Sequence, residues 1–113
     1  MLEFSIYDLG VSRELIIHVG ENAKDNFRLI DISNKKDLWF HLKDVSSPHV
    51  VIHCHKYSFI DIETIRYAGE LCKQYSKYSE NEDIEVIYTE IRNIKKTEPI
   101  GSVITRNERY ITI

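Results

Sequence analysis

The segment Asp37–His55, reading DLWFHLKDVSSPHVVIHCH, sets the tightest limit on the fold. Two apolar runs, Leu38–Leu42 and Val50–Cys54, flank a polar connection at Lys43–Pro48. Such a pattern predicts two strands joined by a loop. Successive side chains of a strand point to opposite faces. Leu38, Phe40 and Leu42 therefore share one face, and Trp39, His41 and Lys43 the other. In the second strand Val50, Ile52 and Cys54 oppose His49, Val51, His53 and His55. One face of this pair reads as core, the other as a surface for chemistry or recognition.

The remaining pattern supports a sheet with helices. Leu2, Phe4 and Ile6 alternate with Glu3, Ser5 and Tyr7, a half-buried strand, and Leu15–Val19 follows beyond a turn at Asp8–Gly10. A helix is expected over Asn22–Ile32, with Asn22 as N-cap and Ala23, Phe27 and Ile30 toward the core. A longer helix should start at an Asp61 N-cap and run to about Tyr78, with Ile62, Ile65, Ala68/Gly69, Cys72 and Tyr75 as its apolar stripe. On that stripe Cys72 reads as a small buried hydrophobe. Ile84–Tyr88 alternates as a strand, Ile91–Lys96 continues after a bend, and Ser102–Thr105 with Arg109–Ile113 predicts a terminal hairpin around Arg106–Asn107–Glu108. The expected architecture is α+β: a largely antiparallel sheet carrying one long and one short helix, in a single domain of residues 1–113.

Composition narrows the function. The chain has 113 residues, 42% hydrophobic and 29% charged, with a net charge of −3. No run approaches about 18 apolar residues, so no membrane span is expected. Cys54 and Cys72 lack metal-type spacing and suit a reducing compartment, hence a cytoplasmic location. Phosphate binding needs clustered cations, so the negative balance weighs against strong sequence-independent nucleic-acid binding. The four glycines are dispersed, which excludes a phosphate-cradling loop, and there is no nucleophile elbow. His41, His49, His53 and His55 raise the question of a metal, yet no carboxylate or cysteine pair completes a ligand set, and no metal or cofactor is expected. Trp39 beside His41 could stack on a base, or pack beneath the second helix. Arg92, Lys95 and Lys96, with Arg106 and Arg109, form the best basic patch, or else an ordinary solvated edge.

Four segments, IIHVGENAKDNFRLI, DLWFHLKDVSSPHVVI, EVIYTEIRNIKK and PIGSVITRNERYITI, occur in the order and spacing of a known family. Over residues 15–113 the chain resembles the NFACT-R domain, the RNA-binding domain of the NFACT proteins of ribosome quality control. Gly20, Asn22, Asn26, Asp37, Trp39, Phe40, His41, His49 and Val50 match its pattern, as do Lys95, Lys96 and Gly101. Glu21 stands where the family usually carries arginine, and Ser-Ser-Pro-His replaces Pro-Gly-Ser-His. The resemblance implies a stand-alone module that binds tRNA or ribosomal RNA, in contact with the large ribosomal subunit or other protein partners. It places Asn22, Asn26, Trp39, His41, Lys43 and His49 on a recognition face, with Arg92, Lys95 and Lys96 toward phosphate. The alternatives are a protein-interaction adaptor with weak RNA affinity and an RNA-processing enzyme using His41 and His49 as acid and base.

Overall fold

Alternation and helical spacing together build an antiparallel sheet with a helix on each face. The computed structural model describes residues 1–113. In chain order the elements are β1 (Leu2–Asp8), β2 (Arg13–Val19), α1 (Ala23–Ile32), β3 (Leu38–Leu42), β4 (Val50–Ile52), α2 (Ile62–Gln74), β5 (Glu85–Glu90), β6 (Ile94–Lys96), β7 (Val103–Thr105) and β8 (Arg109–Thr112). The sheet runs β1-β2-β4-β3-β5-β8 with every neighbouring pair antiparallel, and β6 and β7 form a separate ribbon. This is an α+β fold. No helix is long and apolar enough to cross a membrane.

The β3–β4 pair sits at the centre, in the register Leu38↔Ile52 and Phe40↔Val50. Phe40, Leu42, Val50, Ile52 and Cys54 meet Leu15, Ile17 and Val19 of β2 and Val86 of β5 beneath α2. From α2 come Ile65, Ala68, Leu71 and Cys72. Burial pushes the Cys72 thiol up, which suits a packing role rather than a nucleophile. The opposite face carries a smaller core of Leu29, Trp39, Val51 and Ile91, edged by Ile94 and Val103. Trp39 is therefore packed under α1 and not under the second helix.

Both helices differ in detail from their sequence pattern. The Asn22 side chain accepts from Asp25 N at 2.8 Å, as an N-cap should, and Ile30 packs against the Trp39 core as expected, but the fully buried positions of α1 are Asn26 and Leu29, while Ala23 and Phe27 are only partly buried. Asn26 Oδ1 accepts the His49 N–H at 3.1 Å, and this polar anchor turns the helix. Asp61 caps α2 by accepting from Glu63 N at 2.9 Å, and the helix ends at Gln74, leaving Ile62 and Tyr75 exposed. Ile91–Asn93 forms a 3-10 turn before β6.

The terminal hairpin does not form. β7 pairs with β6, Ile94↔Thr105 to Lys96↔Val103, while β8 pairs with β5, Val86↔Ile111. The apolar residues explain it: Val103 packs into the Trp39 core and Ile111 into the core beneath α2, on opposite faces of the sheet. Asn107, in the left-handed region at φ 54°, helps turn the chain between them, and the Thr89 hydroxyl pins it by donating to Arg106 O at 3.0 Å.

Two buried carboxylates tie the elements together. Asp8 accepts from Gly10 N, Val11 N, Asp61 N and the Thr64 hydroxyl, which joins the β1–β2 turn to the start of α2. Asp37 accepts from Asn34 N, His55 N, His53 Nδ1 and His55 Nδ1, all within 2.9–3.0 Å. His53 and His55 are thus structural partners of Asp37, and a carboxylate does stand beside them in space. His53 Nε2 continues to His18 Nδ1 at 2.7 Å, and His18 Nε2 to Glu3 at 3.0 Å. With a carboxylate at each end, both outward ring nitrogens carry hydrogen.

Two expectations follow. A Cβ on Gly20 would lie 2.1 Å from Asn26 Oδ1, so Gly20→Ala must displace the anchor of α1. It should cost roughly 2–3 kcal/mol in urea unfolding; an unchanged midpoint would show that Asn26 is not an anchor. For Asp37, burial would raise the carboxyl pKa, but the bonds from His53, Asn34 and His55 outweigh it and leave the pKa lowered. Its stabilisation is thus complete above the unfolded value near about 4 and is lost as pH falls through the lower folded value. Asp37→Asn should cost about 2–4 kcal/mol at pH 7, with the gap to the parent protein closing below pH ~4. Thermal unfolding across that range measures it, and a gap constant with pH would refute it.

Candidate functional site

At its other end the Trp39 face opens into a cleft of about 1080 Å³. Ligand sites commonly span roughly 300–1,000 Å³. The walls are the first turn of α1, the β3–β4 loop, the segment Tyr75–Lys77 after α2, and the loop entering β7. That last loop lies close against α1. Gly101 has φ +92°, and a Cβ there would lie 3.0 Å from the Ala23 Cβ.

Three rings form the floor. Trp39 and His41 stack with centroids 5.7 Å apart and planes within 7°, and His49 stands edge-on to both at 5.2 and 5.4 Å. Trp39 and His49 are buried, and His41 alone is only half-buried. His41 Nδ1 lies 2.6 Å from Leu42 O, so that nitrogen donates and Nε2 keeps its lone pair. Burial lowers the His41 pKa against the pull of that carbonyl. Burial, and then the neighbouring His41, press His49 down to about 3, opposed by the Gly101 backbone. Both rings are neutral at pH 7. Both rings line one cleft, and burial holds both toward the neutral form.

Trp39 Nε1 and His49 Nδ1 have no hydrogen-bond partner although both are buried. Each such group costs about 1–3 kcal/mol. Nearby, the start of α1 is acidic: Asp25 Oδ2 accepts from Glu21 N at 3.1 Å, and both carboxylates reach the Met1 ammonium. An anion gains little at a helix N-terminus already faced by carboxylates.

Of the residues marked by sequence, Asn22, Asn26, Trp39, His41 and His49 line the cleft, and Lys43, Arg92, Lys95 and Lys96 do not. Lys43 pairs with Glu85 at 3.3 Å beside the Tyr110 ring. Arg92 forks onto Glu90 at 2.8 and 3.1 Å. Lys96 pairs with Asp31 over the Phe27 ring. Lys95 is the one of the four without an ion pair. The histidines separate as well: His41 and His49 lie at the cleft, His53 and His55 at Asp37, so the four form no common metal site. Sequence reasoning missed Ser46, which the β3–β4 loop brings to the cleft, and Ser102 and Thr105, which line it because β7 pairs with β6. The late glycine, Gly101, was the available signal.

Known proteins share the sequence pattern and the fold. The family model described as "NFACT protein RNA binding domain" matches residues 3–110. The chain is 36% identical over 83 residues to the "Rqc2 homolog RqcH" of Bacillus subtilis (strain 168), covering 73% of this chain and 14% of that protein. It is 31% identical over 112 residues to the "Coiled-coil domain-containing protein 25 homolog" of Dictyostelium discoideum, covering 94% of this chain and 54% of that one. Among solved structures, the C-terminal part of the fibronectin/fibrinogen-binding protein from Streptococcus suis superposes with a TM-score of 0.81 at 29% identity, over 88% of this chain and 41% of the other. The chain thus spans about half or less of the length of these relatives. With the fold, the W-F-H block and a match over residues 3–110, the chain belongs to the NFACT RNA-binding domain family.

Proposed function

We propose that residues 1–113 act as one RNA-binding domain, on tRNA or ribosomal RNA, in translation or ribosome-associated quality control in the cytoplasm. One observation carries the reading. Five residues of the family pattern, far apart in sequence, converge on a single cleft: Asn22, Asn26, Trp39, His41 and His49. Their roles differ. His41 and Asn22 present polar groups to the cleft, while Trp39, Asn26 and His49 form its support from behind. Lys95 is the cation ready for phosphate; Lys43, Arg92 and Lys96 must first exchange a carboxylate for it. The large ribosomal subunit and other proteins are the partners of the larger assemblies in which such a domain would work.

Salt dependence tests this. Each phosphate contact on single-stranded RNA contributes about −0.7 to the slope of log K against log salt. With Lys95, Arg106 and Arg109 unpaired and Lys43, Arg92 and Lys96 muted by carboxylates, the slope should lie near about −2. Asp31→Asn and Glu90→Gln release Lys96 and Arg92, and each should tighten binding several-fold and steepen the slope by about 0.7. Fluorescence anisotropy with tRNA over a salt series reads both. No saturable binding at low salt would defeat the proposal, and unchanged slopes in the two variants would remove Lys96 and Arg92 from the interface.

A further inference from the structure

We infer that the cleft receives the base of a single unpaired nucleotide, with its phosphates lying outside. This rests on the RNA-binding reading and specifies what part of the RNA is recognised. The lining argues first against phosphate. Its only charged side chains are Glu21, Asp44 and Lys77, two acids and one base. A phosphate would meet no net cation there, and it would face the carboxylates at the start of α1. A neutral, flat, hydrogen-bonding group meets none of these objections.

The polar groups on offer match such a group. His41 contributes a ring and, with Nδ1 committed to Leu42 O, a lone pair on Nε2. The Asn22 amide uses only its oxygen in capping α1, which leaves its NH₂ to donate. The hydroxyls of Ser46 and Ser102 make no hydrogen bond within the protein. A nucleobase edge presents donors beside acceptors, and its face stacks on aromatic rings, histidine among them.

Pairing status follows from access. In an A-form duplex the base edges and faces are occupied, and recognition falls to 2′-hydroxyls and phosphates. A paired base would have to be extruded before it could enter, whereas an unpaired one is already available. A peptide would find only a short strand edge there, the three residues of β7, among helix ends and loops.

The test compares a labelled ten-nucleotide single strand with the blunt duplex of the same sequence, by anisotropy, on the full chain. Trp39 is the only tryptophan, so its emission also reports on the cleft. Single-stranded RNA should bind at least tenfold more tightly than duplex, and free nucleosides at millimolar concentration should compete and shift the Trp39 emission. Ser102→Phe, which fills the cleft from a loop, should abolish the single-strand preference while leaving weak duplex binding and the circular dichroism spectrum unchanged. His41→Ala should act in the same direction. Equal binding of both RNAs, or a Ser102→Phe protein with undiminished single-strand affinity, overturns the base pocket and leaves RNA binding standing. Failure of both RNAs to bind overturns both readings. Displacement of the strand by a random-coil polypeptide, but not by nucleosides, assigns the cleft to peptide and overturns the inference.

Discussion

The packing of Trp39 on the face away from α2 determines the rest of that side of the molecule. Burying an indole removes roughly 150–250 Å² from water, an upper bound of about 4–6 kcal/mol. That exceeds the cost of leaving its Nε1 without a partner, so the ring stays in. Something must cover it, and α1 does so through Leu29. For α1 to lie that close, Gly20 can carry no side chain, and Asn26 takes the His49 N–H that the end of β4 leaves free. The cover stops short of His41, two residues along the same strand, which is why a stacked ring emerges half-exposed at the cleft.

The part of this that could be read from sequence is the part governed by local rules. Period-two alternation separated Phe40, Leu42, Val50, Ile52 and Cys54 from Trp39, His41 and His49, and the structure keeps that division. The Asn22 and Asp61 caps are equally local, one side chain and one turn of backbone. Alternation does not say which face meets solvent. A strand covered on both sides reads the same as one covered on a single side until the second cover is placed. Trp39 was therefore open to a surface reading that only the position of α1 excludes.

The remaining differences are all non-local. Three residues between β7 and β8 favour a hairpin by loop length, and this is overridden because Val103 and Ile111 belong to cores on opposite faces. The face of α1 was read only in part, because one of its two buried positions is a polar residue, Asn26, to which an apolar-periodicity rule is blind. His53 and His55 looked idle because their partner, Asp37, precedes them by 16 and 18 residues. Among the cleft residues, the family pattern marked those in α1, β3 and the start of β4. It passed over those brought in by the β6–β7 ribbon, apart from its glycine.

The distribution of charge bears on how an acidic chain could recognise RNA. Ionic groups are gathered at the Asp37 end of the Trp39 face, where Glu3, His18, His53 and Asp37 form one hydrogen-bonded chain, and on the rims, where Lys43, Arg92 and Lys96 are each matched by a carboxylate. The rim pairs are solvent-exposed, and exposed pairs are weakly held and screened by salt. Such cations are muted, not lost: phosphate can displace the carboxylate, but without the gain that a free lysine offers. The share of non-specific affinity that these three cations could supply, through cation–phosphate contacts, is thereby reduced. The neutral cleft is untouched by this matching, because stacking and hydrogen bonds to a base need no charge. A base in the cleft would therefore add affinity that the net negative charge of the chain does not oppose.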